Sequence, residues 1–100
     1  MTIEKTITRA KTLNKEAGLH WFDKDTMKFF NTRIVTGILK EKYFISSEFY
    51  RDWQTGDREP TKYTIREVNW KTGDVSTVGE FQAYDSLKAA KEAVKDLPRL

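Results

Sequence analysis

One hundred residues, 38% apolar and 33% charged, leave room for one hydrophobic core and not two. The absence of cysteine excludes disulfides, thiol nucleophiles and thiolate metal sites, and a single histidine, His20, leaves no His pair for a transition metal. No long apolar run occurs, which argues against a transmembrane helix or signal-peptide core and sets the expectation of an intracellular protein; the net charge of +3 is compatible with nucleic-acid binding without demanding it.

Thr2 to Ala17 reads as an amphipathic helix. Ile3, Ile7, Ala10, Leu13 or Asn14, and Ala17 recur at steps of three and four, and Gly18 supplies a stop. Leu19-His20-Trp21-Phe22 is the densest apolar cluster and is expected to enter the core. Asp23 reads as the N-cap of a short helix running to Phe30, with Met27 and Phe30 on its buried face and Asn31 closing it. Arg33–Leu39 and Tyr43–Phe49, both rich in β-formers, flank the polar turn Lys40-Glu41-Lys42 and predict an antiparallel hairpin. Arg51 to Thr61, with Gly56 and Pro60, reads as a loop that Trp53 pins to the core. Lys62–Trp70 and Val75–Tyr84 flank a turn at Gly73 and predict a second hairpin, with Gly79 marking a bulge.

The chain ends in a helix capped by Asp85 or Ser86 and stopped by Pro98, with Leu87, Ala90, Val94 and Leu97 as its apolar stripe. The order α-α-β-β-β-β-α predicts a single α+β domain over residues 1–100. A four-stranded antiparallel sheet carries helices packed on one face, and residues 1–17 form an added N-terminal element.

Few groups here suit catalysis. Flanked by Leu19, Trp21 and Phe22, His20 is expected to be partly buried and hydrogen-bonded rather than a general base. Asp23-Lys24-Asp25 begins like a calcium loop, but Lys28 and Ile34 stand where the turn glycine and the final glutamate belong. Asp23, Asp25, Glu41, Glu48, Asp52, Asp57 and Glu59 read as charged surface. Ser46-Ser47 lacks a nucleophile elbow, and the five glycines form no phosphate loop. A non-enzymatic protein without cofactor or metal is expected.

Binding leaves two readings. Lys40, Lys42 and Tyr43 on one hairpin, with Lys62, Tyr63, Arg66 and Trp70 on the other, interleave rings with cations as a nucleic-acid-binding sheet face would. Residues 51–100 nevertheless hold nine basic and nine acidic side chains, a weak electrostatic footprint. For a protein partner, Tyr50, Arg51, Trp53 and Arg58 are the candidate anchors, being the residue types that dominate interfaces.

The run Gly18-Leu19-His20-Trp21-Phe22-Asp23-Lys24-Asp25-Thr26-Met27-Lys28-Phe29-Phe30-Asn31, then Tyr43-Phe44-Ile45-Ser46-Ser47-Glu48 and Tyr63-Thr64-Ile65-Arg66, resembles a family of small uncharacterised proteins carried by phages and prophages. The resemblance covers roughly residues 18–97 and carries over no catalytic or ligand residues. It implies the setting of a mobile genetic element, and the expectation drawn is an accessory protein working in the cytoplasm of a bacterial host as a monomer or homodimer. Such a protein would act stoichiometrically on a host protein or ribonucleoprotein complex, in its sharpest form a CRISPR-type defence complex. The positive net charge excludes the acidic DNA-mimic route. A nucleic-acid-binding accessory protein is the alternative.

Overall fold

Thr6 opens helix α1 (Ile7–Glu16) by accepting the Arg9 N–H on its hydroxyl, 3.1 Å away. The helix closes on Gly18: the Gly18 N–H reaches Lys15 O and the Leu19 N–H reaches Asn14 O, the paired bonds of a Schellman stop. Helix α2 (Lys24–Phe29) ends on the same device, with Asn31 at φ +51°, its N–H on Lys28 O and the Thr32 N–H on Met27 O. The Asp23 carbonyl starts that helix by accepting the Met27 N–H, while the Asp23 carboxylate turns to His20.

Strands β1 (Arg33–Ile34), β2 (Tyr43–Glu48), β3 (Lys62–Val68) and β4 (Val75–Val78) pair antiparallel in the order β1-β2-β3-β4, and helix α3 (Leu87–Lys95) follows. These elements are those of a computed structural model describing residues 5–29 and 31–99; Ile3 and Phe30, expected on buried faces, lie outside the described residues. The α+β architecture expected from the sequence holds. Ser86 caps α3 by accepting the Ala89 N–H, and the expected stripe is buried at Ala90 and Val94 and partly buried at Leu87 and Leu97.

The helices do not share one face of the sheet. Alternation along β2 and β3 sends Tyr43, Ile45, Tyr63 and Ile65 to the side where α3 packs through Ala90 and Val94. Phe44 and Val68 point the other way, with Val75, and meet Ala10 of α1 together with Trp21 and Phe22. Trp21 and Phe22 contact Phe44 ring to ring, whereas Leu19 and His20 stay exposed at the surface. The same second face carries Ser46, Glu48, Thr64 and Arg66, all buried.

Two hairpins depart from their expected lengths. β1 is only two residues long because the Thr36 hydroxyl, and not a backbone carbonyl, accepts the Ile45 N–H, 3.0 Å away. Pairing resumes at Leu39↔Tyr43 across a turn whose central residues, Lys40 and Glu41, both have positive φ. Side-chain ties hold that unfavourable backbone: the Lys40 ammonium donates to the Lys95 and Leu97 carbonyls at the end of α3, and the Trp70 indole donates to Glu41 O at 2.8 Å. β4 stops at Val78, and residues 79–83 loop outward opposite the single residue Thr64 before Tyr84 pairs with Tyr63. Gly79 therefore marks the end of the strand, where a bulge within it was expected.

Helix α1 is seated by one polar residue in its apolar stripe. Asn14, 1% exposed, donates from Nδ2 to Gly73 O at 2.9 Å and accepts the Trp21 N–H at 2.8 Å. It thereby joins the helix, the β3–β4 turn and the segment leading to α2. Gly73 has φ +79°, and a Cβ there would lie 2.6 Å from Leu13 O. Gly73→Ala is expected to cost about 2 kcal/mol or more, since it adds a backbone clash to an unfavourable φ. Gly56→Ala, at similar φ but in open space, is expected to cost about 1 kcal/mol, and urea unfolding of the two variants checks the difference.

Candidate functional site

Beyond Glu48 and Lys62 the β2–β3 hairpin does not dissolve into the expected loop. Its backbone stays paired: the Glu59 N–H meets Tyr50 O and the Asp52 N–H meets Asp57 O, each at 2.8 Å, with an Arg51↔Arg58 bridge between. Three residue steps lead from Glu48 to Arg51 and four from Arg58 to Lys62, so the returning strand, which contains Pro60, holds one extra residue. Such a bulge bends the arm it belongs to. At the tip, the Asp52 carboxylate accepts the Gln54 and Thr55 N–H groups, and the Gly56 N–H closes on Asp52 O at 2.7 Å. The tip is thus a built turn.

Trp53 occupies that turn and is 88% exposed, so it does not pin the segment to the core. The turn bonds of Asp52 fix the backbone around the ring and leave the side chain facing water. At the base of the arm, Arg58 lies 3.9 Å and Arg51 5.9 Å from the Phe49 ring, which sets two cations about one aromatic. Arg51 also donates to Gly56 O and Arg58 to the Thr61 hydroxyl, but among the described residues neither forms an ion pair. Asn31 Nδ2 donates to Phe49 O at 3.1 Å and fastens the base to the end of α2. Tyr50 is exposed beside them. The four candidate anchors therefore fall on one projecting element. The molecule measures 53 × 31 × 17 Å, and its radius of gyration of 14.1 Å exceeds the roughly 13 Å of a 100-residue globule.

The candidate nucleic-acid residues are not gathered in the same way. Tyr43 is buried under α3, its hydroxyl donating to Pro98 O, and Tyr63 is partly buried on that face. Arg66 lies on the opposite face and is 8% exposed. Lys40 is spent on the end of α3, Lys42 pairs with Glu67 at 3.3 Å, Lys62 pairs with Asp85, and Trp70 donates to Glu41 O. The expected open sheet face of rings and cations is absent because α3 covers one side and α1 with Trp21 and Phe22 covers part of the other.

Two further expectations change. His20 is exposed, not partly buried; its Nδ1 sits 2.8 Å from the Asp23 carboxylate. Glu48, read as charged surface, has no exposed area: Thr64 donates to one carboxylate oxygen at 2.7 Å, and Ser46 and Arg66 approach the other at 2.6 and 3.4 Å. Arg66 completes its contacts with Ser46 Oγ at 3.1 Å and Thr77 Oγ1 at 2.5 Å, and its Cζ lies 5.3 Å from both the Trp21 and Phe81 rings. Burial pushes the guanidinium below its ordinary value, against the opposing pull of Glu48. Among the described residues no group of three His, Cys, Asp or Glu is placed to hold a metal ion, and no helix is long and apolar enough to cross a membrane.

Fold and arm together define a small α+β domain with one projecting aromatic hairpin. The chain belongs to a family of unknown function (DUF7447), whose model matches residues 6–95. That span takes in α1, so the first helix lies within the family unit. Neither a curated protein nor a solved structure matches the chain.

Because the Trp53 ring stands clear of the core, Trp53→Ala is expected to change unfolding stability by no more than about 0.5 kcal/mol. Trp21 and Trp70 are half-buried, so Trp53→Phe is expected to remove most of the tryptophan emission that acrylamide quenches readily.

Proposed function

We propose that the protein acts by stoichiometric binding to a macromolecular partner, and that the β2–β3 arm leads the contact. One observation carries this reading: a tryptophan 88% exposed at the tip of a hairpin whose backbone is held by cross-strand and turn hydrogen bonds. A large ring held in water on an ordered backbone gives the fold nothing, yet the backbone that carries it has already lost freedom that binding would cost. Tyr50, Arg51 and Arg58 flank it with the residue types that carry most interface energy. The Arg51 and Arg58 guanidiniums, without an ion pair among the described residues, suit a protein partner that presents carboxylates or backbone carbonyls.

A finer version of the proposal rests on the motif resemblance. In it the chain is an accessory protein of a phage or mobile element, its partner is a host protein or ribonucleoprotein, and the outcome is inhibition of a CRISPR-type defence complex. The net charge of +3 supports occlusion or trapping over DNA mimicry.

The test is retention of bacterial host proteins on immobilised wild-type protein, on Trp53→Ala and on Lys88→Ala, the last a substitution on α3. A partner held by wild type and Lys88→Ala is expected to bind Trp53→Ala about 30-fold more weakly, the loss of one interface hot spot. Equal recovery on all three proteins contradicts the role of the arm. In a strain with an active RNA-guided defence, expression of the wild type is expected to restore plaques of a targeted phage. Unchanged plaque counts contradict the finer version alone.

A further inference from the structure

The second face of the sheet holds a feature the arm does not use. A half-open cavity of about 310 Å³ is lined by Trp21, Thr26, Met27, Thr32, Arg66, Thr77 and Phe81. Its volume is at the lower end of the roughly 300–1,000 Å³ of small-ligand pockets, enough for a single ring and little more. Most of the lining is apolar, and Arg66 is its one charged member.

The chemistry of the cavity follows from what Arg66 has left to give. A guanidinium carries five N–H donors. Ser46, Thr77 and Glu48 take three of them, so two have no acceptor among the described residues. The charge, by contrast, is already balanced, because Glu48 sits behind the guanidinium with no exposed surface. The site therefore offers hydrogen-bond donors without a net positive charge. A second carboxylate would enter a neutral, largely apolar pocket and lose its hydration for one shared cation. An uncharged acceptor loses far less.

Shape adds a second constraint. Trp21 and Phe81 both line the cavity, each with its ring centroid 5.3 Å from the Arg66 Cζ. A planar ring whose acceptor reaches the guanidinium therefore comes within reach of two aromatic walls, at the roughly 4.5–7 Å centroid distances that aromatic contacts prefer. We propose that this cavity binds a small planar ring bearing an uncharged carbonyl acceptor, with the carbonyl on the free Arg66 donors and the ring against the aromatic walls, Trp21 and Phe81. This site is independent of the arm and of the reading built on it.

Benzamide, benzoate and benzylamine, similar in size but neutral, anionic and cationic, are suitable probes in ¹H–¹⁵N titrations of the intact protein. Benzamide is expected to bind with a Kd of about 1–10 mM, ordinary for so small a ligand, shifting the Trp21 indole and the Thr77 and Phe81 amides. Benzoate and benzylamine are expected to bind at least about fivefold more weakly. Phe81→Ala removes one wall at an exposed position and is expected to weaken benzamide about fivefold while the rest of the spectrum keeps its native dispersion. Benzoate binding as tightly as benzamide, unchanged affinity in Phe81→Ala, or no shifts at Trp21 and Thr77 with 20 mM benzamide (about twice the upper expected Kd) would each overturn the proposal.

Discussion

Burying a carboxylate costs several kcal/mol unless its oxygens and its charge are met inside the protein. Glu48 has no exposed surface, and the way it is met fixes the second face of the sheet. Its partners come from positions that register makes neighbours: Ser46 on its own strand, Thr64 across from Ser46, and Arg66 one pleat further along β3. Arg66 passes the connection on to Thr77 of β4, and the Thr64 hydroxyl accepts the Gln82 N–H and holds the 79–83 excursion in place. A slip of one residue between β2 and β3 would unpair this set and turn the strand's other face outward. Three strands and one loop are thereby held to a single register by one buried acid.

The division of the sheet into two unlike faces follows from this network. The α3 side is apolar and closed, with Tyr43, Ile45 and Ile65 under Ala90 and Val94. On the other side α1 and the Trp21-Phe22 segment cover the Phe44, Val68 and Val75 end, and the polar end is left with a cavity over Arg66. The arm grows from the same strands. Because β2 and β3 are held in register by Glu48 at the point where the sheet ends, the hairpin that continues from them has a fixed root. Asn31 and the Phe49–Arg58 contact stiffen it from the side.

Much of the fold was legible in the sequence, because periodicity and capping are local signals. The α3 stripe, the Ser86 cap and the turn at Gly73 follow from residues within a few positions of each other. The distribution of helices over two faces was not legible. It depends on Asn14, a polar residue inside an apolar stripe whose partners are Gly73 and Trp21. Two side chains were misread in opposite directions for one reason. Typical burial places tryptophan inside and charge outside, whereas Trp53 is held out by the turn bonds of Asp52 and Arg66 is held in by Glu48. A signal for the second was present: polar residues at 46, 48, 64 and 66 alternate with apolar ones at 45 and 65, and they include one acid and one base. The arm's candidate residues fall on one element, but their exposure depends on pairing beyond Glu48 that a Gly- and Pro-containing stretch did not announce.

The second face of the sheet depends on Glu48 and Arg66 acting as one unit, and a double-mutant cycle measures that directly. Urea unfolding of Glu48→Gln, Arg66→Met and the double variant gives the coupling between the two sites. Each single change is expected to cost about 3 kcal/mol, since it leaves the other partner buried without its counterpart. The double variant is expected to cost no more than the worse single change, a coupling of at least about 3 kcal/mol. Additive losses, with the double variant falling by the sum of the two, would contradict the claim that this pair organises the face.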